Sequence, residues 1–410
     1  MSNILVTNQI RTVEYLRRLK NKLAMFYLCS TTFESAFNVR SVMKSPLFPT
    51  GQAISIRKPI YLNGYAGPDI TGVSNPVIQY TEDLSISFND VVPVAFTDVD
   101  MTLNLDDFTK NFAEPGGAKL ANMMERNIIN SAMNRTYNWV GTPGTPLTSF
   151  GMVQLANNKL NLFGVDDNER FLVVNVNDYG NIVTAVQNNF NEVFNKQASQ
   201  SGRVTRISNF DAMMNQNNTT HTVGAYTSSV PLISGSTASG ATTLLSNGWV
   251  GSTGVLTQGD RFTISGVNSV NPESKLDTGQ LAQFIVTAPV NAASGVATIP
   301  IYPYLSYSTT DPYQNVTNAP SSGAAINILG ASGSKYNVGF AMNKEAIQIV
   351  VIDLMKPPAA VMCERARSEV SKLSLRMTGY YLGDPSLSKY RLEDLYGIQV
   401  FGEYGCAIIT

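Results

Sequence analysis

GAKLANMMERNIINSAMNRTY, residues 117–137, is the stretch on which the fold turns. Pro115-Gly116-Gly117 breaks whatever precedes it, and no Gly or Pro follows until Gly141. The spacing predicts a helix of about twenty residues, roughly 30 Å long and able to cross a whole domain. Leu120, Met124, Ile128 and Ala132 recur at four-residue steps and form one apolar stripe. Ile129, Met133 and Tyr137 form a second, on the side that also carries Lys119, Asn122 and Arg126. Apolar rows on two sides call for partners on two sides, which describes a central strut. The competing reading is a buried helix of an ordinary α/β enzyme, and the flanking segments decide between the two.

Upstream of the strut the period changes to two. Ile54 and Ile56 alternate with Ser55 and Arg57, and Leu84, Ile86 and Phe88 alternate with Ser85, Ser87 and Asn89. Each run is a half-buried strand pattern. Between them lies a turn-rich tip holding Pro59, Gly64, Gly67, Pro68, Gly72 and Pro76, with Tyr61 and Tyr65. The result is a long hairpin over 46–96, which is barely stable unless it rests on its own body or on a neighbour. A further strand is expected from Val94 to Leu103. Before the hairpin, residues 9–28 read as an amphipathic helix whose apolar positions run from Ile10 to Phe26. Arg11, Arg17, Arg18, Lys20 and Lys22 make it the most basic stretch of the chain. It reads either as a solvated helix face or as a projecting arm that docks on an acidic partner.

Downstream, Phe150–Phe163 reads as a helix and FLVVNV at 171–176 as a buried strand. Asp178 to Phe194 reads as a helix capped by Asp178. Composition then shifts sharply. No Asp, Glu, Lys or Arg occurs between Asp211 and Asp260, and only Arg261, Glu273, Lys275, Asp277 and Asp311 occur between Asp260 and Lys335. Short β-type runs (RFTISGV, AQFIVTAPV, GVATIPIYP) alternate there with Gly/Ser/Asn turns, which points to a small barrel or sandwich rather than to disorder. After Phe340 the α+β character returns. AMNKEAIQIVVIDLM reads as a turn and then a strand, and Arg391 to Ile409 as two closing strands around Gly397 and Gly402. An all-β block with α+β sequence on both sides is an insertion.

Charged residues make up 14% of the 410 residues, against the usual quarter or so, and the formal net charge is −1. Weakly charged surfaces associate, so much of this one is expected to be covered by copies or by a partner. A dedicated nucleic-acid reader does not fit that balance. Cys29, Cys363 and Cys406 show no paired spacing, which excludes a disulfide framework and a zinc motif. The start, MSNILVTNQI, lacks the apolar core of a signal peptide, and the longest apolar run, Ala346–Met355, is too short to span a bilayer.

Chemistry is sparse. His221, the one histidine, sits in an Asn/Thr-rich segment and is expected at the surface. GASGSK at 330–335 lacks the spacing of a phosphate loop. Asp98-Val99-Asp100 and Asp106-Asp107 are too common as patterns to mark a cation site. Asp106 serves better as the N-cap of a short helix at 107–112, and Asp166-Asp167 reads as a solvated turn. No catalytic group, cofactor or metal is expected.

Several stretches, in order, resemble the major coat protein of tailed bacteriophages, in the branch typified by the Salmonella phage P22 coat protein. KLANMMERNIINSAM resembles the spine helix of that family, and the 46–96 hairpin its extended loop. QGDRFTISGVNSV at 258–270 resembles a β-turn-β signature of the inserted barrel. AQFIVTAPV and GVATIPIYP follow in that barrel's order, and KYNVGFAMNKEAIQIV resembles the re-entry segment. The resemblance implies an α+β, HK97-like capsid fold with an inserted all-β barrel. Its parts would be an N-terminal arm (1–45), an extended loop (46–96) and a peripheral domain with the spine helix (97–150). An axial domain (151–221), the insertion (222–326), a return segment (327–390) and C-terminal strands (391–410) would follow.

The implied function is self-assembly into an icosahedral shell through hexamers and pentamers, in the virion after assembly in the host cytoplasm, without catalysis. Implied partners are other copies, a scaffolding protein and portal, packaged double-stranded DNA held non-specifically, and a decoration protein, with no membrane. Contact candidates are the five basic residues of the arm, Arg57, Lys58 and Tyr65 on the hairpin, and Trp249. Arg57 and Lys58 are expected to meet acids of an adjacent subunit. The region 234–254, which carries charges in that branch, has none here. Polar or apolar packing with Trp249 as its centre would replace an ionic contact. Rival readings are a tail-tube or sheath subunit and a secreted carbohydrate-binding β protein.

Overall fold

The computed structural model of the chain describes residues 53–62, 64, 67, 77–98, 114–187, 206–218, 220–227, 230–251, 253–357, 362–367, 373–383 and 386–410. The elements begin with β1 (Ala53–Arg57), β2 (Thr81–Phe88), β3 (Val91–Thr97), α1 (Glu114–Arg135) and β4 (Trp139–Gly141). Next come α2 (Phe150–Leu162), β5 (Arg170–Val174), α3 (Val176–Gln187), β6 (Arg206–Ile207), β7 (Phe210–Met214) and β8 (Thr220–Thr222). The charge-poor block supplies β9 (Leu232–Ile233), β10 (Ala241–Asn247), β11 (Arg261–Val270), β12 (Asp277–Val286), β13 (Val296–Leu305) and β14 (Ile326–Ile328). The chain continues through β15 (Lys335–Asn343), β16 (Ile347–Val351), β17 (Met362–Arg367) and β18 (Ser374–Leu382). It ends with β19 (Leu387–Glu393), β20 (Tyr396–Val400) and β21 (Gly405–Ile409). This is the α+β class expected, and the chain divides into two compact units.

The described part of the first unit comes mainly from Asp83–Ile129 and Ile347–Gln399. Its sheets run β1-β2-β20-β16 and β17-β18-β19-β3. The alternation in β2 is realised, with Leu84 fully buried and Ser85 and Ser87 exposed. Against β19, β3 pairs antiparallel from Val91↔Glu393 to Thr97↔Leu387. On α1, Leu120, Met124 and Ile128 are buried while Lys119, Asn122 and Arg126 face outward. The helix starts earlier than its sequence suggests, because Pro115 and Gly116 lie inside its first turn, where proline's missing N–H has no helical partner to lose. A Cβ on Gly116 would come within 2.8 Å of Leu392 Cδ1, so glycine lets the helix start approach β19. Asp90 collects the Tyr396 hydroxyl (2.6 Å) and the Asn127 amide (3.2 Å), which ties α1 to the strands below it.

The second unit is built from Ser55–Glu82, Asn130–Ala346 and Val400–Thr410. A mixed sheet runs β4-β21-β15-β5-β7-β6, with β8 also paired to β15. Leu160 of α2, Ile182 of α3, and Leu172, Phe210 and Ile408 of the strands share one buried core. The cap of α3 is Asn175, whose Oδ1 accepts the Asp178 N–H at 2.8 Å. Asp178, expected to be the cap, sits in the first turn instead and accepts the Thr410 hydroxyl at 2.9 Å.

The charge-poor block forms a sheet of order β14-β11-β12-β13-β10-β9. Its edges meet: Leu232 bridges Ala325, and the Ile326 N–H donates to Pro231 O at 2.9 Å. Inside it Phe262, Phe284, Leu244, Ile299 and Ile326 are buried together. The chain leaves for this sheet after β8 and returns on β15, and these two strands pair side by side, Tyr336 opposite His221. His221 is therefore 3% exposed rather than at the surface, because the partner strand covers it. It lies 2.7 Å from Asp260 Oδ1, while Asp260 Oδ2 accepts N–H groups from Thr257 (2.7 Å) and Gly224 (3.1 Å).

Further ties hold the closed sheet to the rest of this unit. Trp139 N–H donates to Gln283 Oε1 at 3.0 Å, and Gln283 Nε2 donates back to Trp139 O at 3.1 Å. Buried Lys159 donates to Gln280 Oε1 at 2.9 Å. The guanidinium of Arg261, fully buried, donates to Met133 O (3.1 Å) and Thr136 O (3.2 Å) at the end of α1.

Candidate functional site

The chemistry-bearing residues of the second unit gather where the two stems of the hairpin, 55–62 and 77–82, meet β13, the end of α1 and the 3-10 turn Gly402–Tyr404. Lys58 Nζ lies 2.7 Å from Glu82 Oε1 and 2.9 Å from Glu403 Oε1. Arg135 reaches the other oxygen of Glu82 at 3.0 Å, and Tyr302 OH donates to Glu403 Oε2 at 2.6 Å. The Arg135 guanidinium also stacks over the Tyr302 ring, 3.8 Å from its centroid. Two cations thus face two carboxylates in a largely dry setting, the arrangement in which buried charges persist. Burial works against the Lys58 charge, but Glu403 and Glu82 outweigh it and raise its pKa. Burial likewise opposes the Glu403 charge, and Lys58 together with the Tyr302 hydroxyl holds its pKa below the usual carboxylate value.

Beside this network lies a cluster of tyrosines. Tyr313 OH donates to Pro59 O at 2.7 Å and lies 3.4 Å from Ile78 O, so one side chain touches both stems. Its ring meets Tyr61 edge-on at 5.3 Å and Tyr80 at 4.7 Å, and Tyr80 also meets Tyr304 at 5.8 Å. The stems are joined to each other by the Lys58 N–H donating to Tyr80 O at 2.8 Å.

Gly402 is the close approach in this corner. A Cβ there would sit 2.2 Å from Arg135 O and 3.0 Å from the Tyr302 ring. Gly402→Ala is expected to lower stability by about 1–3 kcal/mol through overpacking. The check is a urea titration, and an unchanged midpoint would show that the backbone yields at no cost.

Of the contact candidates, Arg11, Arg17, Arg18, Lys20, Lys22 and Tyr65 lie outside the described residues, as do Asp106 and the proposed helix at 107–112. Arg57 is exposed. Lys58, expected to meet an adjacent subunit's acid, has Glu82 and Glu403 of its own chain at its ammonium. Trp249, expected to face a neighbour, is instead 5% exposed within the closed sheet, where Ser246 Oγ accepts its indole N–H at 2.8 Å. Glu403, Arg135, Tyr302 and Tyr313 were not singled out in the sequence. A usable signal was the tyrosine run YPYLSYSTTDPY at 302–313, set in a charge-poor block and matched by Tyr61, Tyr65 and Tyr80 on the hairpin.

Among the described residues, no three His, Cys, Asp or Glu side chains converge to hold a metal, and no helix is long and apolar enough to cross a membrane. Cys363 and Cys406 are free thiols, and burial pushes the Cys406 thiol up to about 12.

The family described as "P22 coat protein - gene protein 5" matches residues 50–402. The chain belongs to the P22 coat protein family. It is a phage major capsid protein, so copies of it assemble into the shell of the virion. Among solved structures, the chain is similar to one described as Mycobacterium phage Che8, at 10% identity over 93% of this chain and 89% of that one (TM-score 0.47). It is also similar to the capsid of Ralstonia phage GP4, at 10% identity over 88% and 84% (TM-score 0.43). The CUS-3 coat protein I-domain matches at 30% identity over 26% of this chain and 98% of that one (TM-score 0.20). A comparison with curated proteins finds no match. For a coat protein the hairpin corner is a structural site: its charges and rings hold backbone in place. Ile60, Leu62 and Val77, on the same stems, stay exposed.

Proposed function

We propose that this coat protein builds an icosahedral shell around the phage genome from hexamers and pentamers, in the host cytoplasm and without catalysis. The match to the coat protein family over residues 50–402 carries the reading. Closed shells require one subunit to make quasi-equivalent contacts, which favours many modest interfaces over one rigid one. The low charge of the chain and the exposed Ile60, Leu62 and Val77 suit such interfaces. In this reading the hairpin over 46–96 reaches across a neighbour within the capsomer, with Tyr65 near its tip. Arg57, exposed on the stem, meets an acid of the adjacent subunit and contributes about 0–1 kcal/mol per contact. The segment 222–326 is an inserted domain, which the side-by-side pairing of β8 and β15 at its base supports.

The basic arm, with Arg11, Arg17, Arg18, Lys20 and Lys22, faces inward. It meets a scaffolding protein first and the packaged DNA afterwards, and a portal and a decoration protein complete the set of partners. Deleting residues 10–24 is expected to leave a soluble, folded subunit that assembles poorly. Negative-stain microscopy with and without the scaffolding protein checks both points. Shells of normal yield and size from the truncated protein would remove the arm from assembly, and helical tubes from the intact protein would overturn the shell itself.

A further inference from the structure

The stems of the hairpin meet the closed sheet of their own chain directly in the tyrosine cluster, and in the ionic network through Tyr302, whose hydroxyl donates to Glu403 Oε2 at 2.6 Å and lies 3.5 Å from Glu82 Oε1. Tyr302 lies in β13, and Tyr313 lies in the segment that follows it. Lys58 and Glu82, one on each stem, enter the ionic network, and Tyr313 touches a carbonyl of each stem in the tyrosine cluster. The Lys275 ammonium, from the loop before β12, adds a third contact 5.8 Å from the Tyr61 ring centroid. Beyond its pairing with β20 at Ile86 and Phe88 the hairpin has only its own two strands, which have little stiffness, so whatever grips both stems there sets the direction in which they leave the body. These groups join the sheet to the stems through one short hydrogen bond, from Tyr313 OH to Pro59 O, and through the ring contacts of Tyr61 and Tyr80 with Tyr313.

We propose that β13 and the Tyr313 segment form a mount that aims the hairpin before any second copy arrives. The closed sheet thereby sets the geometry of a contact that its own surface does not make. This goes beyond the assembly reading and rests on it only for the final consequence: subunits with a loosened mount would still associate but lose uniform particle size.

The test is hydrogen exchange of the free subunit, read at the Lys58 amide. Tyr313→Phe removes one hydroxyl bridge and is expected to speed exchange at Lys58 about fivefold. Tyr61→Leu, a change on the hairpin rather than in the sheet, removes the edge-on ring contact and is expected to speed it between about twofold and tenfold. Tryptophan fluorescence, from Trp249 buried in the closed sheet and from Trp139 paired to its Gln283, should stay at its wild-type position in both. If Tyr313→Phe disturbs that signal, Tyr61→Leu alone decides. Exchange at Lys58 within twofold of wild type in Tyr61→Leu would overturn the mount, whether or not shells form. Uniform shells of normal size from variants with fast exchange would overturn its role in aiming. A mixture of particle sizes from those variants would support it.

Discussion

Replacing Arg261 by methionine is expected to remove most of the soluble, folded coat protein. The Arg261 side chain is fully buried, and its guanidinium serves three carbonyls: Met133 O at 3.1 Å, Thr136 O at 3.2 Å and Gly259 O at 3.3 Å. Two of these lie at the C-terminal end of α1, where the helix dipole favours a cation. Methionine keeps much of the length and apolar volume but donates nothing. Each hydrogen bond from the charged guanidinium contributes about 1–3 kcal/mol that methionine cannot replace. The sum is on the order of 3–5 kcal/mol or more, a large part of the about 5–15 kcal/mol that separates folded from unfolded domains. Arg261→Lys should fall between, since a single ammonium cannot reproduce the fork that reaches three acceptors. Soluble yield and the urea midpoint would rank wild type above lysine above methionine. A methionine variant within about 1 kcal/mol of wild type would mean that these carbonyls find other donors.

This contact also marks where local reading of the chain stops. Leu120, Met124, Ile128 and Ala132 spelled the buried stripe of α1 because helical periodicity is a local property, and all four are buried. The strand alternation of β2 and the turn before β16 were legible for the same reason. The charge-free run after Asp211 announced a change of architecture, and the closed sheet lies there. What failed were judgements that depend on distant partners. His221 looked exposed in an Asn/Thr-rich segment, yet β15 covers it from more than a hundred residues away. Trp249 reads as the centre of a packing contact with a neighbour, but Ser246 gives its N–H an acceptor and the closed sheet takes its ring. Lys58 reads as a cation for an adjacent subunit's acid, because Glu403, one of its two partners, comes from the other end of the chain. Pro115-Gly116 looked like a stop signal, while Gly116 is there to admit Leu392. Composition and period are written locally; pairing is not.

Changing Asp394 to asparagine is expected to stabilise the protein at neutral pH and to flatten part of its pH dependence. Asp394 is 3% exposed, in the link between β19 and β20, and its Oδ1 accepts the Asp90 N–H at 3.3 Å. Tyr396 OH and the Asn127 amide converge on the Asp90 carboxylate instead. Burial first, and the adjacent Asp90 charge second, push the Asp394 carboxyl up to about 8 from its usual 3.8. The direction of the effect follows from which state holds the proton. Below about pH 4 the folded and unfolded chains both carry it, and the favourable difference is complete. Between about 4 and 8 the unfolded chain releases the proton while the folded chain keeps it, so stability falls as pH rises, by at most about 1.4 kcal/mol per pH unit. Above about 8 both forms are ionised and this contribution to the slope vanishes. Asparagine retains the Oδ1 acceptor and carries no ionisable proton. Urea midpoints of wild type and Asp394→Asn should therefore lie close together near pH 4 and separate steadily toward pH 8, with the variant the more stable. A gap that stays constant across that range would show that burial of this carboxyl does not control its proton.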